Sequence, residues 1–72
     1  MYKIELKSDL PHQQRVIDEA NDLGVKIKAL DNFLLVNPIY EKLPVDEKSR
    51  LLTQFGLMQS YFQILKERVD AF

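Results

Sequence analysis

Apolar residues recur through the second half of the chain at alternating spacings of four and three: Leu51, Phe55, Met58, Phe62, Leu65, Val69 and Phe72. That is the seam of a long amphipathic helix. A second row, Leu57, Tyr61 and Ile64, closed by Arg68, lies roughly 80° round the same helix by its 3.6-residue period, so the apolar arc is wider than one partner helix needs. In the first half Val16, Ala20, Leu23, Ile27, Leu30 and Leu34 repeat in the same way, with Phe33 beside them, and the pattern stops before Pro38. Two such helices joined by a short connection must run antiparallel and pack along their seams.

Ahead of the helices, Tyr2 to Lys7 alternate, with Tyr2, Ile4 and Leu6 on one side and Lys3, Glu5 and Lys7 on the other. This is the period of a half-buried strand. A lone strand either pairs with its copy in another subunit or lies extended across the helices. Ser8 or Asp9 is placed to cap the first helix, and Pro11 suits its first turn. Asn37 before Pro38 resembles a fresh N-cap, so one helical turn carries Ile39 and Tyr40 over the end of the hairpin. Pro44 then opens the second helix, with Asp46 and Glu47 at its positive dipole end. The pairs Asp22/Lys26 and Asp46/Arg50 have ion-pair spacing.

The expected fold is all-α: an antiparallel two-helix hairpin with a short N-terminal extended arm or strand, oligomerising through a wide apolar face. It forms one domain over residues 1–72, with the arm at 1–8, helix 1 at 10–36, the connection at 37–43 and helix 2 at 44–72. If the chain folds back near Tyr40, Gly24 lies level with Gly56 and His12 with Arg68. Each glycine costs roughly 1 kcal/mol against alanine inside a helix, and close packing ranks first among the reasons to keep it.

Seventy-two residues without a cysteine have no disulfide to lean on, which leaves self-association as a route to stability. The lone His12 with scattered carboxylates has no metal-ligand spacing, so no metal and no cofactor is expected. Ten basic and eleven acidic residues are spread evenly. With no basic stripe, duplex nucleic acid is not an expected partner. The apolar runs are too short for a membrane span, and Met1 is followed by an alternating segment instead of a leader pattern. The chain reads as soluble and intracellular.

The candidate chemistry is sparse. His12, Gln13, Gln14 and Arg15 occupy the first turn of helix 1, where backbone N–H groups and the dipole favour an anion. Arg68, level with His12, adds a guanidinium, and Tyr61 a stacking face. The plainer reading is that Gln13 and Gln14 cap or solvate the helix start while Arg15 pairs with Glu19 or Glu67, and His12 is solvated. Leu57, Tyr61 and Ile64, with Phe72, form the interface candidate, because a two-helix hairpin cannot cover both this row and the seam. The alternative is burial under Tyr2, Ile4 and Leu6 of the arm. There is no Ser/His/Asp or Cys/His set, no glycine-rich phosphate loop and no Glu-x-x-His pair, so no enzyme is expected.

The string PHQQRVIDE, Pro11 to Glu19, resembles a family of small tailed-phage and prophage proteins, one of them from a crAss-like phage. Leu23, Lys26, Leu30 and Phe33 fit its first-helix pattern. Leu51, Gln54, Met58, Tyr61, Leu65, Arg68 and Phe72 fit its second, so the likeness covers nearly all of the chain after Leu6. The sequence departs from its relatives' glutamate- and lysine-rich first helix at Ala20, Asn21 and Gly24. The resemblance implies a phage-derived protein in a bacterial host cytoplasm. In size and layout the chain is also similar to phage helical hairpins that act as sponges, sequestering cyclic-nucleotide or ADP-ribose signals of CBASS and Thoeris defence.

These likenesses imply a homo-oligomeric, counter-defence protein that holds a cyclic-nucleotide-type signal between subunits. His12, Gln13 and Arg15 would meet phosphates, Arg68 would neutralise charge and Tyr61 would stack on a base. The alternatives are a protein-binding module that docks on and inhibits a host or phage protein through the Tyr61 row, and a purely structural oligomer.

Overall fold

The structure is a computed structural model that describes residues 2–72. Three helices follow one another: α1 (Pro11–Val36), the single turn α2 (Pro38–Lys42) and α3 (Val45–Asp70). The two long helices pack against each other as an antiparallel hairpin, and among the described residues there is no strand. The molecule is accordingly a rod, 46 × 17 × 16 Å.

Local chemistry sets the ends of these elements. Pro11 opens α1 because its missing N–H needs no partner there. The expected cap from Ser8 or Asp9 does not form: Leu10 is the N-cap residue, with no side-chain cap bond. Instead the helix reaches back to the arm. Ser8 Oγ donates to Gln13 Oε1 (2.7 Å) and accepts from Leu10 N (3.1 Å), while Ser8 N donates to Gln14 Oε1 (2.9 Å). At the other end Asn37 leaves helical geometry before Pro38 and accepts from Ile39 N (2.9 Å), which starts α2. Tyr40 then packs edge-on against Phe33 (6.2 Å between centroids), with the Lys48 ammonium 5.5 Å from its ring centre. Ile39, expected to share this plug, is left exposed.

The core is built from Val16, Ile17, Ala20 and Ile27 of α1 and Phe62, Leu65 and Val69 of α3. Six of the seven lie in the half of the hairpin away from the turn, where the arm adds a third layer, and Ile27 sits just past the midpoint of α1. Residues 2–8 have no regular secondary structure and lie against both long helices. The Tyr2 ring meets Phe62 edge-on at 5.1 Å, and its hydroxyl accepts from Gln59 Nε2 (2.8 Å). Asn21 clamps the arm as a strand edge would: Ile4 N donates to its Oδ1 (2.7 Å), and its Nδ2 donates to Ile4 O (3.2 Å). Side-chain amides thus satisfy backbone groups that a lone strand leaves bare. Within the single chain the alternating segment lies as an arm across the helices.

Gly24 owes its place to this arm. A Cβ there would overlap the carbonyl oxygen of Tyr2, so only glycine lets the arm's backbone lie so close. Gly56 has open space beside it, and the packing reason expected for it does not hold. The ion pairs also differ from the expected spacings. Among the described residues the pairs are Glu41–Lys48 (3.6 Å), Glu47–Arg50 (3.0 Å) and Lys66–Asp70 (3.8 Å), while Asp22/Lys26 and Asp46/Arg50 do not close.

Candidate functional site

A two-helix hairpin has two grooves, one on each side of its seam. By the helical period Asn21 and Gly24 flank the α1 seam on one side and Glu19, Leu23 and Lys26 on the other. On α3, Gln59 lies on the arm side and Tyr61 on the opposite one. The arm therefore fills one groove and leaves the Tyr61 side bare. Leu57 is 66% exposed, Tyr61 45% and Ile64 54%. Burial of this row under Tyr2, Ile4 and Leu6 is overturned, because the arm is held elsewhere by Asn21, Gln59 and Phe62.

The bare side carries two connected depressions that share Tyr61. One, of about 540 Å³, runs between the helices and is lined by Arg15, Asp18, Glu19, Asp22, Leu23 and Lys26 of α1 and by Tyr61 of α3. The other, of about 470 Å³, lies along α3 over Arg50, Thr53, Gln54, Leu57, Met58 and Tyr61, and is mostly apolar. Both are open to solvent in the single chain, so a ligand held there would need a further surface to enclose it. The first is mixed in charge. Two cations, Arg15 and Lys26, face three carboxylates, of which Asp18 is already engaged by Gln14 Nε2 at 2.9 Å.

Of the residues singled out from the sequence, Arg15 and Tyr61 line one groove, and Tyr61 and Leu57 line the other. His12 and Arg68 are exposed at the free end of the hairpin and line neither. Gln13 is half-buried, with its oxygen bonded to Ser8, which leaves its amide nitrogen as the group it can offer. Among the described residues neither Arg15 nor Arg68 makes an ion pair, so Arg15 does not close on Glu19 or Glu67. Ile64 and Phe72 are exposed.

The start of α1 offers an anion less than its sequence suggests. Pro11 has no N–H, and the amides of Gln13 and Gln14 both donate to Leu10 O, at 3.0 and 2.9 Å. Side-chain cations, not free backbone donors, are what this end presents. Glu19, Asp22 and Lys26 were missed as groove residues, although their spacing from Arg15 along one helix flank was a readable sign. Asn21 and Gln59 were missed as arm clamps, because nothing local marks a polar residue whose partner is far away in the chain. Among the described residues no group of His, Cys, Asp or Glu could hold a metal ion, and no helix is long and apolar enough to cross a membrane.

Compared with known proteins, the chain matches one family model, described as Sequestin, over residues 10–71. That span takes in both long helices and leaves out the whole arm. No curated protein matches the chain significantly, and no solved structure does.

Proposed function

The chain belongs to the Sequestin family, and we propose that it holds a small anionic signal of the cyclic-nucleotide type in pockets between subunits, removing the signal without converting it. The family's name suggests sequestration, a binding role and not a catalytic one. The observation that carries the finer reading is the bare groove lined by both the half-exposed Tyr61 ring and Arg15, which makes no ion pair among the described residues. A base stacks on Tyr61 beside Leu57, and Glu19 and Asp22 accept its N–H groups. The phosphates then lie toward the free end, where Arg15, Arg68, His12 and the Gln13 amide nitrogen surround them. The carboxylates of the groove keep phosphates off its middle and so set the ligand's direction. In this reading the protein is phage-encoded, counters nucleotide-based defence and works in the bacterial cytoplasm, as its PHQQRV resemblance implies.

The test is thermal unfolding against cyclic di- and trinucleotides and ADP-ribose isomers. Ligand at 100 times Kd adds about 2.7 kcal/mol to the native state. Arg15→Ala and Arg68→Ala should abolish the shift while leaving the helical spectrum intact. A silent panel together with stoichiometric recovery of one protein in a pull-down would defeat the reading. It would favour the second one, supported by the exposed Leu57–Ile64 row, that a host or phage protein docks on this face.

A further inference from the structure

We infer that the bare row of α3 packs antiparallel on the same row of a second copy, and that this brings Arg50 of that copy beside Arg68 to complete the phosphate end of the pocket. The inference rests on the sequestration reading and gives its intersubunit pocket a geometry.

The row is self-complementary. Centred near Tyr61, an antiparallel pair sets Leu57 against Ile64 of the other chain, with Tyr61 next to the two-fold axis. If fully covered, the exposed parts of Leu57, Tyr61, Ile64 and Phe72 with the stems of the flanking arginines amount to at most roughly 500 Å² a side. Two copies therefore cover at most about 1,000 Å², the least that a specific interface needs. The arm has no claim on this face, since it is fixed on the other side by Asn21 and Gln59. Pairing in this way also roofs the groove lined by Arg15 and Tyr61 with the outer rim of the second α3.

Arg50 and Arg68 bracket the apolar centre of the row, on the same face of α3. In the antiparallel pair each Arg68 comes within about one helical turn of Arg50 from the other chain. Glu47 holds Arg50 at 3.0 Å, whereas Arg68 has no ion partner among the described residues. Two guanidinium groups so close repel unless an anion lies between them. Anion binding and assembly are then linked: a phosphate group that bridges the two arginines tightens the dimer, and the dimer tightens its hold on the phosphate.

The full chain is examined by sedimentation velocity, with and without inorganic pyrophosphate at matched ionic strength. The expected result is a dimer whose dissociation constant falls about tenfold or more with pyrophosphate. Leu57→Asp should sediment as a helical monomer. Arg50→Ala should still dimerise but lose the response to pyrophosphate. The chain has no cysteine of its own, so a short bis-maleimide should join two Tyr61→Cys chains and leave Ala29→Cys chains, altered on the outer face of α1, unjoined. A wild-type monomer at 100 μM, a Leu57→Asp dimer, or a pyrophosphate response that survives Arg50→Ala overturns the inference. Nucleotides that shift Tm without any dimer sink the inference and the intersubunit pocket, and spare sequestration itself. A pyrophosphate-linked dimer deaf to every nucleotide does the reverse.

Discussion

The two grooves of one hairpin meet opposite fates. On one side the arm lies down over Asn21 and Gly24, and every apolar group it covers belongs to a single folded unit. On the other side Leu57, Tyr61 and Ile64 stand exposed beside Arg15, Glu19, Asp22 and Lys26, which form no ion pair among the described residues. A chain this short cannot cover both. Its spare extended segment is committed to one groove, and the second is left to whatever binds from outside. The filled groove supplies stability and the open one recognition, so substitutions on the two sides should fail in different ways.

Phe62→Ala should have the largest effect. The ring is buried in the core and is also the surface on which Tyr2 rests. Its loss costs about 3–5 kcal/mol, which is comparable to the whole stability of a domain of this size. The expected outcome is a far-ultraviolet circular dichroism signal near that of an unfolded chain at 25 °C. Tyr61→Ala, across the hairpin, should keep its helical signal at dilution while losing ligand. If both variants unfolded alike, the division of labour between the grooves would be wrong.

Gly24→Ala comes next. Alanine is the better helix former by about 1 kcal/mol, yet its methyl group would meet the Tyr2 carbonyl oxygen. Either the arm lifts or α1 shifts, and the loss of the Tyr2–Phe62 and Ile4–Asn21 contacts outweighs the gain in propensity. A net cost of about 1–2 kcal/mol is expected. That would lower Tm by about 4–8 °C for each kcal/mol, with faster exchange of the Ile4 amide proton. A rise in Tm would show that the arm contributes nothing to the fold.

The hairpin itself was legible from the sequence because a seam of spacing four and three is a local pattern, readable without knowing what it meets. The arm was legible only as an alternating stretch. Its partners are Asn21, seventeen residues from Ile4, and Gln59, fifty-seven residues from Tyr2. No rule of spacing joins such residues. The exposed row was readable for the same reason as the seam, since a second apolar stripe on one helix exceeds what one neighbour can bury. The polar half of the site was harder. PHQQRV looked like an anion-binding helix start, but the Leu10 carbonyl takes the backbone N–H groups of Gln13 and Gln14, and Ser8 ties up their side-chain oxygens. Those are turn contacts that depend on how the arm enters. Asn21 and Gly24, which read as departures from a glutamate- and lysine-rich helix, are the seat of the arm, and Ala20 lies in the core.

Gly56→Ala is the smallest change and the sharpest control, because it repeats the Gly24 substitution on the second long helix. Nothing stands within reach of a methyl group at this position, and φ is not positive at either glycine. The substitution should therefore act through helix propensity alone. It removes backbone freedom from the unfolded chain and adds about 0.5–1 kcal/mol of stability, a rise of a few degrees in Tm. The same atom added to the same residue type then has opposite signs at Gly24 and Gly56, and only the arm distinguishes them. In a chain lacking residues 2–8 the difference should vanish, with both substitutions mildly stabilising whatever hairpin remains. A fall in Tm for Gly56→Ala in the full chain would mean that the outer side of α3 is covered in the assembled protein, and that more than the Tyr61 row serves as interface.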